Sequence, residues 1–308
     1  MKSERAVIVL FSAAVLLTSA AGLYAAAVRE GPAPRYQVRQ DLSIHFNNAD
    51  AVIDRVRECL KARQELIRIT YTSHSSNLED LDELVRELMK FACCETGAAD
   101  EGDYLRCQIG GYDAGFTQEE RDGLFTYELN IRPIYFTDAE QEEEVSRAVE
   151  KVIASLGLPE GAGEEEKIRA VYDCVCSNVS YDWVHRRSEN YRLRSAAYGA
   201  LIYGRATCLG YAVTVYRLLR ELGVGCRVVT GDAVDAETGE REYHAWVIIR
   251  LDGKWYNADP TWDSRSGTHS FFLKSDEDFG DHIRKTGSPA GYGAEDYPMA
   301  TESYGKGK

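Results

Sequence analysis

The dipeptide Asp252-Gly253 stands between two apolar segments, His244 to Leu251 and Lys254 to Ala258. In that setting an Asp-Gly pair closes a two-residue hairpin, because both central residues of a type I′ turn need positive φ. The turn also fixes the register. Leu251 pairs with Lys254, and counting outward sets Trp246 opposite Asp259. His244 lies two residues beyond Trp246 and shares its face, so it becomes a diagonal neighbour of Asp259, at roughly 7–8 Å between backbones. Any fold of this chain must therefore hold an antiparallel sheet that sets an imidazole beside a carboxylate. Parity further predicts Trp255 on the face opposite Trp246, and Tyr243 packed behind the His244 face.

A helix precedes this sheet. Thr207 is a natural N-cap, and Ala212, Val215, Leu218, Leu219 and Leu222 recur at helical spacing from Cys208 to Leu222. Gly223 ends it as a left-handed residue. Cys208 thus sits in the first helical turn, where unpaired N–H groups and the helix dipole favour negative charge. A thiolate is the nucleophilic form of cysteine, and the same amides can hold an oxyanion. Taken singly, a helical cysteine is usually a small hydrophobe, a strand histidine a structural residue, and an aspartate before proline a turn former. Together, Cys208, His244 and Asp259 make a nucleophile, a base and an orienting carboxylate.

The remainder of the chain frames this unit. Met1 to Arg5 is charged, Ala6 to Leu17 is apolar, and Thr18 to Ala27 is rich in small residues. Residues 1–27 read as an export segment, either cleaved after Ala25-Ala26-Ala27 or kept as a membrane anchor. Residues 28–35, with Gly31-Pro-Ala-Pro34, read as a linker. Helical and alternating patterns over 36–158 predict a small α/β domain, with strands at Leu66–Tyr71, Tyr104–Ile109 and Leu124–Tyr135. Thr137 to Glu140 reads as a capping box opening a helix that runs to about Leu156. The Gly- and Pro-containing stretch 157–163 marks a boundary before a domain at 164–285, and 286–308 is a tail or the closing edge of that domain. A net charge of −14 repels nucleic acid and anionic headgroups, so neither is expected as a partner. The eight cysteines are irregularly spaced; with Cys208 reserved for chemistry, three bridges are the ceiling, and buried reduced thiols are expected. Neither Cys174-x-Cys176 nor Cys93-Cys94 has the spacing of a structural zinc site, and no metal or cofactor is expected. His185, His269 and His282 read as structural or exposed.

The segments Gly204-Arg-Ala-Thr-Cys208-Leu-Gly-Tyr-Ala212, Tyr243-His-Ala-Trp246 and Asp252-Gly-Lys-Trp-Tyr-Asn-Ala-Asp-Pro-Thr-Trp-Asp263 resemble the bacterial transglutaminase-like superfamily over about 164–285. The resemblance implies an α+β, papain-like core: a helix bearing the cysteine, packed on an antiparallel sheet bearing His and Asp. It further implies Cys208 as nucleophile, His244 as base and acid, and Asp259 as orienter. Asn178 to Asp182 resembles the segment ahead of the family's nucleophile helix, with a structural role. Leu209, where a polar residue is common, and Ser264, where a second acid is common, depart from the pattern and bear on the substrate groove. Thr207, Leu209, Trp246 and Trp262 are expected to line that groove. The function implied is attack on amide bonds of proteins or peptides through an acyl-enzyme, with hydrolysis favoured. Transfer to an amine, or a non-catalytic envelope module that retains the three residues, are the rival readings. The membrane is a partner only through residues 1–27.

Overall fold

The computed structural model describes residues 7–9, 49–74, 81–234, 239–285 and 297–305. They fall into two compact units. The predicted linker 28–35 lies outside the described residues, as does all of the export segment except Val7–Val9. No helix among the described residues is long and apolar enough to cross a membrane.

The first unit takes the described residues of 49–94 and 109–135 together with β1 (Val7–Val9). Its antiparallel sheet runs β1-β3-β4-β2, with β2 Ile67–Ser73, β3 Ile109–Arg121 and β4 Leu124–Tyr135. The helices α1 (Ala49–Lys61) and α2 (Leu81–Ala92) complete it. Leu81, Leu84, Val85, Leu88 and Met89 of α2 are buried as one stripe, and Ile67, Ile69 and Tyr71 alternate inward along β2, as their spacing predicts. Asp122 and Gly123 both have positive φ and close the β3–β4 hairpin.

The second unit takes residues 95–108 and the described residues of 136–305. The predicted strand at Tyr104–Ile109 is instead a turn of helix, α3 (Asp103–Cys107). Tyr104, Leu105 and Cys107 are all buried, so the segment has no exposed face to alternate. The helix α4 (Ala139–Ser155) also belongs here, not to the N-terminal domain of the 36–158 expectation, because Val145 and Val149 enter the core of this unit. Its capping box is Asp138 with Gln141, one residue later than predicted. The helix α5 (Glu164–Asn178) follows, then a 3₁₀ turn at Arg192–Ser195, α6 (Ala197–Tyr203) and α7 (Cys208–Glu221). Residues 209–219 of α7 are buried on every side, as befits a central helix. It lies on one face of a four-stranded antiparallel sheet, order β10-β7-β8-β9. The strands are β7 Cys226–Val234, β8 Arg241–Leu251, β9 Lys254–Ala258 and β10 His282–Arg284. Asp252 and Gly253 have positive φ, and Leu251 pairs with Lys254 as the hairpin arithmetic requires. Residues 298–300 run along β9, and Tyr297 is fully buried against Trp255.

Candidate active site

Two short strands deliver the nucleophile. β5 (Ser180–Tyr181) pairs in parallel with β6 (Arg205–Ala206), and Asp182 N–H donates to Ala206 O. This ladder from the Asn178–Asp182 segment fixes the chain just ahead of α7. Thr207 occupies the N-cap position with extended backbone, yet its hydroxyl caps nothing in the helix. Thr207 Oγ1 donates instead to Arg194 O at 3.1 Å, holding the 3₁₀ turn beside it. The first amides of α7 therefore carry no side-chain cap at the residue whose sulfur would generate an oxyanion. Gly210 lets the elements meet: a Cβ there would lie 2.6 Å from Ala206 Cβ and 2.9 Å from Arg194 O.

The sheet delivers the other two groups. His244 Nε2 lies 2.8 Å from Asp259 Oδ2, with both residues buried. A carboxylate only accepts, so Nε2 carries the proton and Nδ1 is left for the thiol of Cys208, whose sulfur is among the groups that raise the imidazole. Burial opposes charge on His244, but the Asp259 carboxylate and the adjacent sulfur outweigh it and raise the imidazole to about 10. Burial likewise opposes charge on Asp259, yet His244 and His282 hold its carboxyl well below the usual range. Asp259 is also the N-cap of α8 (Pro260–Ser266): Oδ1 accepts from Thr261 N–H at 2.8 Å and Trp262 N–H at 3.3 Å. The structure thus brings together all three residues that the sequence singled out.

The expected groove residues fare differently. Trp246 is 1% exposed and donates Nε1–H to Asn257 Oδ1, so it is core and lines no open groove. Trp255 packs in the same cluster, on the same face as Trp246, which corrects the parity expectation. The register had required this, since Trp255 pairs with Arg250, an even-numbered residue like Trp246. Leu209 and Thr207 are buried as well, so the Leu209 departure affects the core and leaves the groove unchanged. Trp262 stays half-buried, its ring 5.7 Å from that of His244. Asp263 is buried and accepts from Tyr172 O–H at 2.7 Å, tying α8 to α5, while Ser264 donates to Tyr211 Oη at 3.1 Å.

Two tyrosines flank the sulfur. Burial raises the phenol of Tyr181 to about 12, and the Cys208 sulfur is the next contributor. The same two causes raise Tyr243, which is partly exposed beside Cys208 and not packed behind the triad. The Tyr181 and Trp183 rings meet at a tilt, 4.6 Å between centroids, and Trp183 is 54% exposed with the guanidinium of Arg265 5.0 Å above it. Burial pushes up the thiols of Cys59, Cys174, Cys176 and Cys226, and takes Cys107 to about 11. Cys59, Cys107, Cys174, Cys176, Cys208 and Cys226 are free thiols.

The sequence missed His282. Its Nε2 lies 3.2 Å from Asp259 Oδ2, the same oxygen that His244 meets, and its side chain is fully buried. His185 and His269 are ordinary by contrast, paired with Asp182 and Asp173 away from the triad.

A sequence model of the transglutaminase-like superfamily matches residues 156–260, a span that contains Cys208, His244 and Asp259. Kyphoscoliosis peptidase of Mus musculus is 27% identical over 220 residues, covering 68% of this chain and 33% of its own length. Its Homo sapiens counterpart is 26% identical over 214 residues, covering 66% and 32%. The chain thus spans about a third of the length of these relatives. Among solved structures, a TGase aligns with a TM-score of 0.35 and 20% identity, over 49% of this chain and 45% of the other.

Proposed function

We propose, from the membership of residues 156–260 in the transglutaminase-like superfamily, that this protein is an exported thiol enzyme that opens amide bonds of proteins or peptides. One observation carries the reading: Cys208 stands at the uncapped first turn of α7, in the electrostatic reach of a buried imidazole that a buried carboxylate orients. In the forward step the Cys208 sulfur attacks the amide carbon, and first-turn amides of α7 receive the developing oxyanion. Protonated His244 gives its Nδ1 proton to the leaving amine, the C–N bond breaks, and a thioester remains. His244 then takes a proton from water, which attacks the thioester and releases a carboxylic acid and the thiol. The exposed rings of Trp183 and Tyr243, with half-buried Tyr181 against Trp183, offer aromatic surface for an extended peptide. Export rests on the charged, apolar and small-residue order of residues 1–27.

Incubating the full chain with a peptide mixture in ¹⁸O-water, with and without dansylcadaverine, separates hydrolysis from transfer. The expected products carry new ¹⁸O-labelled carboxylates, and Cys208→Ala forms none. Dansyl amides as the main product would assign the chain to crosslinking, and undiminished cleavage by Cys208→Ala would remove Cys208 from the chemistry. Export is checked by sequencing the protein from cell fractions. The expected species begins at Val28, or begins at Met1 in the membrane fraction; an intact chain in the cytosol contradicts it.

A further inference from the structure

His282 sits in an enclosure with no solvent contact. Its ring stacks on Phe279 at 3.9 Å between centroids, with Trp262 at 4.5 Å and Trp246 at 5.1 Å. Nδ1 meets Asp281 Oδ1 at 2.8 Å, and Nε2 meets Asp259 Oδ2 at 3.2 Å. Burying an imidazole among aromatic rings is costly unless its nitrogens are satisfied, and here both are. The strand that carries it is placed for this contact: β10 pairs with β7, His282 opposite Ala233, and Gly231 opens the space. A Cβ on Gly231 would fall 2.1 Å from Ile283 O and 2.9 Å from the Trp246 ring.

The Asp259 carboxylate is held at both ends. Oδ1 is pinned by the first amides of α8, and Oδ2 receives two imidazole N–H groups. The α8 amides and His244 already hold the carboxylate at each oxygen, and His282 braces Oδ2 from a second side, resisting its displacement away from His244. We infer that His282 is a positioning residue for the Cys208 chemistry, locking the Asp259 carboxylate so that it holds His244 with Nδ1 aimed at the sulfur. The inference rests on the thiol-enzyme reading and extends it. His244, Asp259 and His282 also have the composition of a metal site, with ligand atoms within 4.8 Å of one another. The 2.8 Å between His244 Nε2 and Asp259 Oδ2 is nonetheless a hydrogen-bond distance. Two ligands of a tetrahedral zinc at 2.0–2.1 Å stand roughly 3.3 Å apart.

Two amide substitutions separate this role from mere filling of the core. The side-chain nitrogen of His282→Gln reaches the place of Nε2 and can still donate to Asp259. That of His282→Asn is shorter, reaching the place of Nδ1 near Asp281 and leaving Asp259 with one imidazole. The measurement is the rate of Cys208 alkylation by iodoacetamide per titratable Cys208 thiol in the full chain, beside the melting temperature of each variant. His282→Asn is expected to react about tenfold more slowly, and His282→Gln within about twofold of wild type, as displacement of a positioned group predicts. Equal rates in the two variants, whether both match wild type or both fall, overturn the inference. A wild-type Cys208 that alkylates no faster than a free cysteine overturns instead the thiol-enzyme reading on which it stands.

Discussion

At the residue scale, the pair His244–Asp259 makes a statement about pH. Unfolded, His244 titrates near its ordinary value of about 6.5, while in the fold its imidazole reaches about 10. A raised histidine contributes stability that is fully present below about 6.5 and is lost as pH climbs through about 10. Asp259 is shifted the other way. Its contribution is present above the ordinary aspartate range and fades as pH falls through its depressed folded value. In the proposed acylation the imidazolium is the general acid, so the alkaline limb of kcat/KM is expected near pH 10. Asp259→Asn removes the main force that sustains that charge, and the limb should move down toward about 6.5. A pH profile of peptide cleavage, or of Cys208 alkylation if turnover is too slow, checks this. A limb unmoved in Asp259→Asn would mean that the carboxylate does not govern the imidazole.

At the element scale, the site is made by close approaches of backbone. Gly210 brings the first turn of α7 against the 3₁₀ turn and β6. Gly210→Ala must push that turn outward, and the overpacking should cost about 1–3 kcal/mol of stability, measurable by urea unfolding. Cleavage should fall further than stability does, by about 100-fold, because the sulfur and its oxyanion amides move with the turn. These elements also mark how far the sequence could be read. The triad was legible because each of its parts has a local cause: an Asp-Gly turn that sets register, and a helix start recognisable from its apolar face. The opposite-face expectation for Trp255 was a miscount of parity, since the same register pairs it with Arg250 on the Trp246 face. His282 had no local signal. It lies on a three-residue edge strand 23 residues beyond Asp259, and only the β7–β10 pairing brings the two together. The strand β3 was hidden by its glycines and acids, because its pairing to β4 is supplied by a partner across a turn.

At the scale of the whole molecule, the unit that holds the triad is gathered from separated stretches of chain, and Arg227 ties three of them. Its Nε donates to Asp103 Oδ2 at 2.7 Å and its Nη2 to Asp103 Oδ1 at 3.1 Å, while Nη1 meets Tyr297. Asp103 also accepts from Val228 N–H at 2.9 Å. Apolar periodicity cannot display such a pairing, which is why the 36–158 and 164–285 boundaries divide the chain differently from the structure. Asp103→Ala leaves a buried guanidinium without its main counter-charge, and a loss of about 3–5 kcal/mol is expected from urea unfolding. A fragment beginning at residue 136 lacks the same partner and should fail to give a cooperative transition; a fragment beginning at 95 should give one. During synthesis this pairing imposes a wait. Asp103 emerges 124 residues before Arg227, roughly 6–25 s at ordinary elongation rates. Through that interval Asp103 stands in the chain without its counter-charge, and the candidate site waits longer still, because His244 and Asp259 both lie beyond β7.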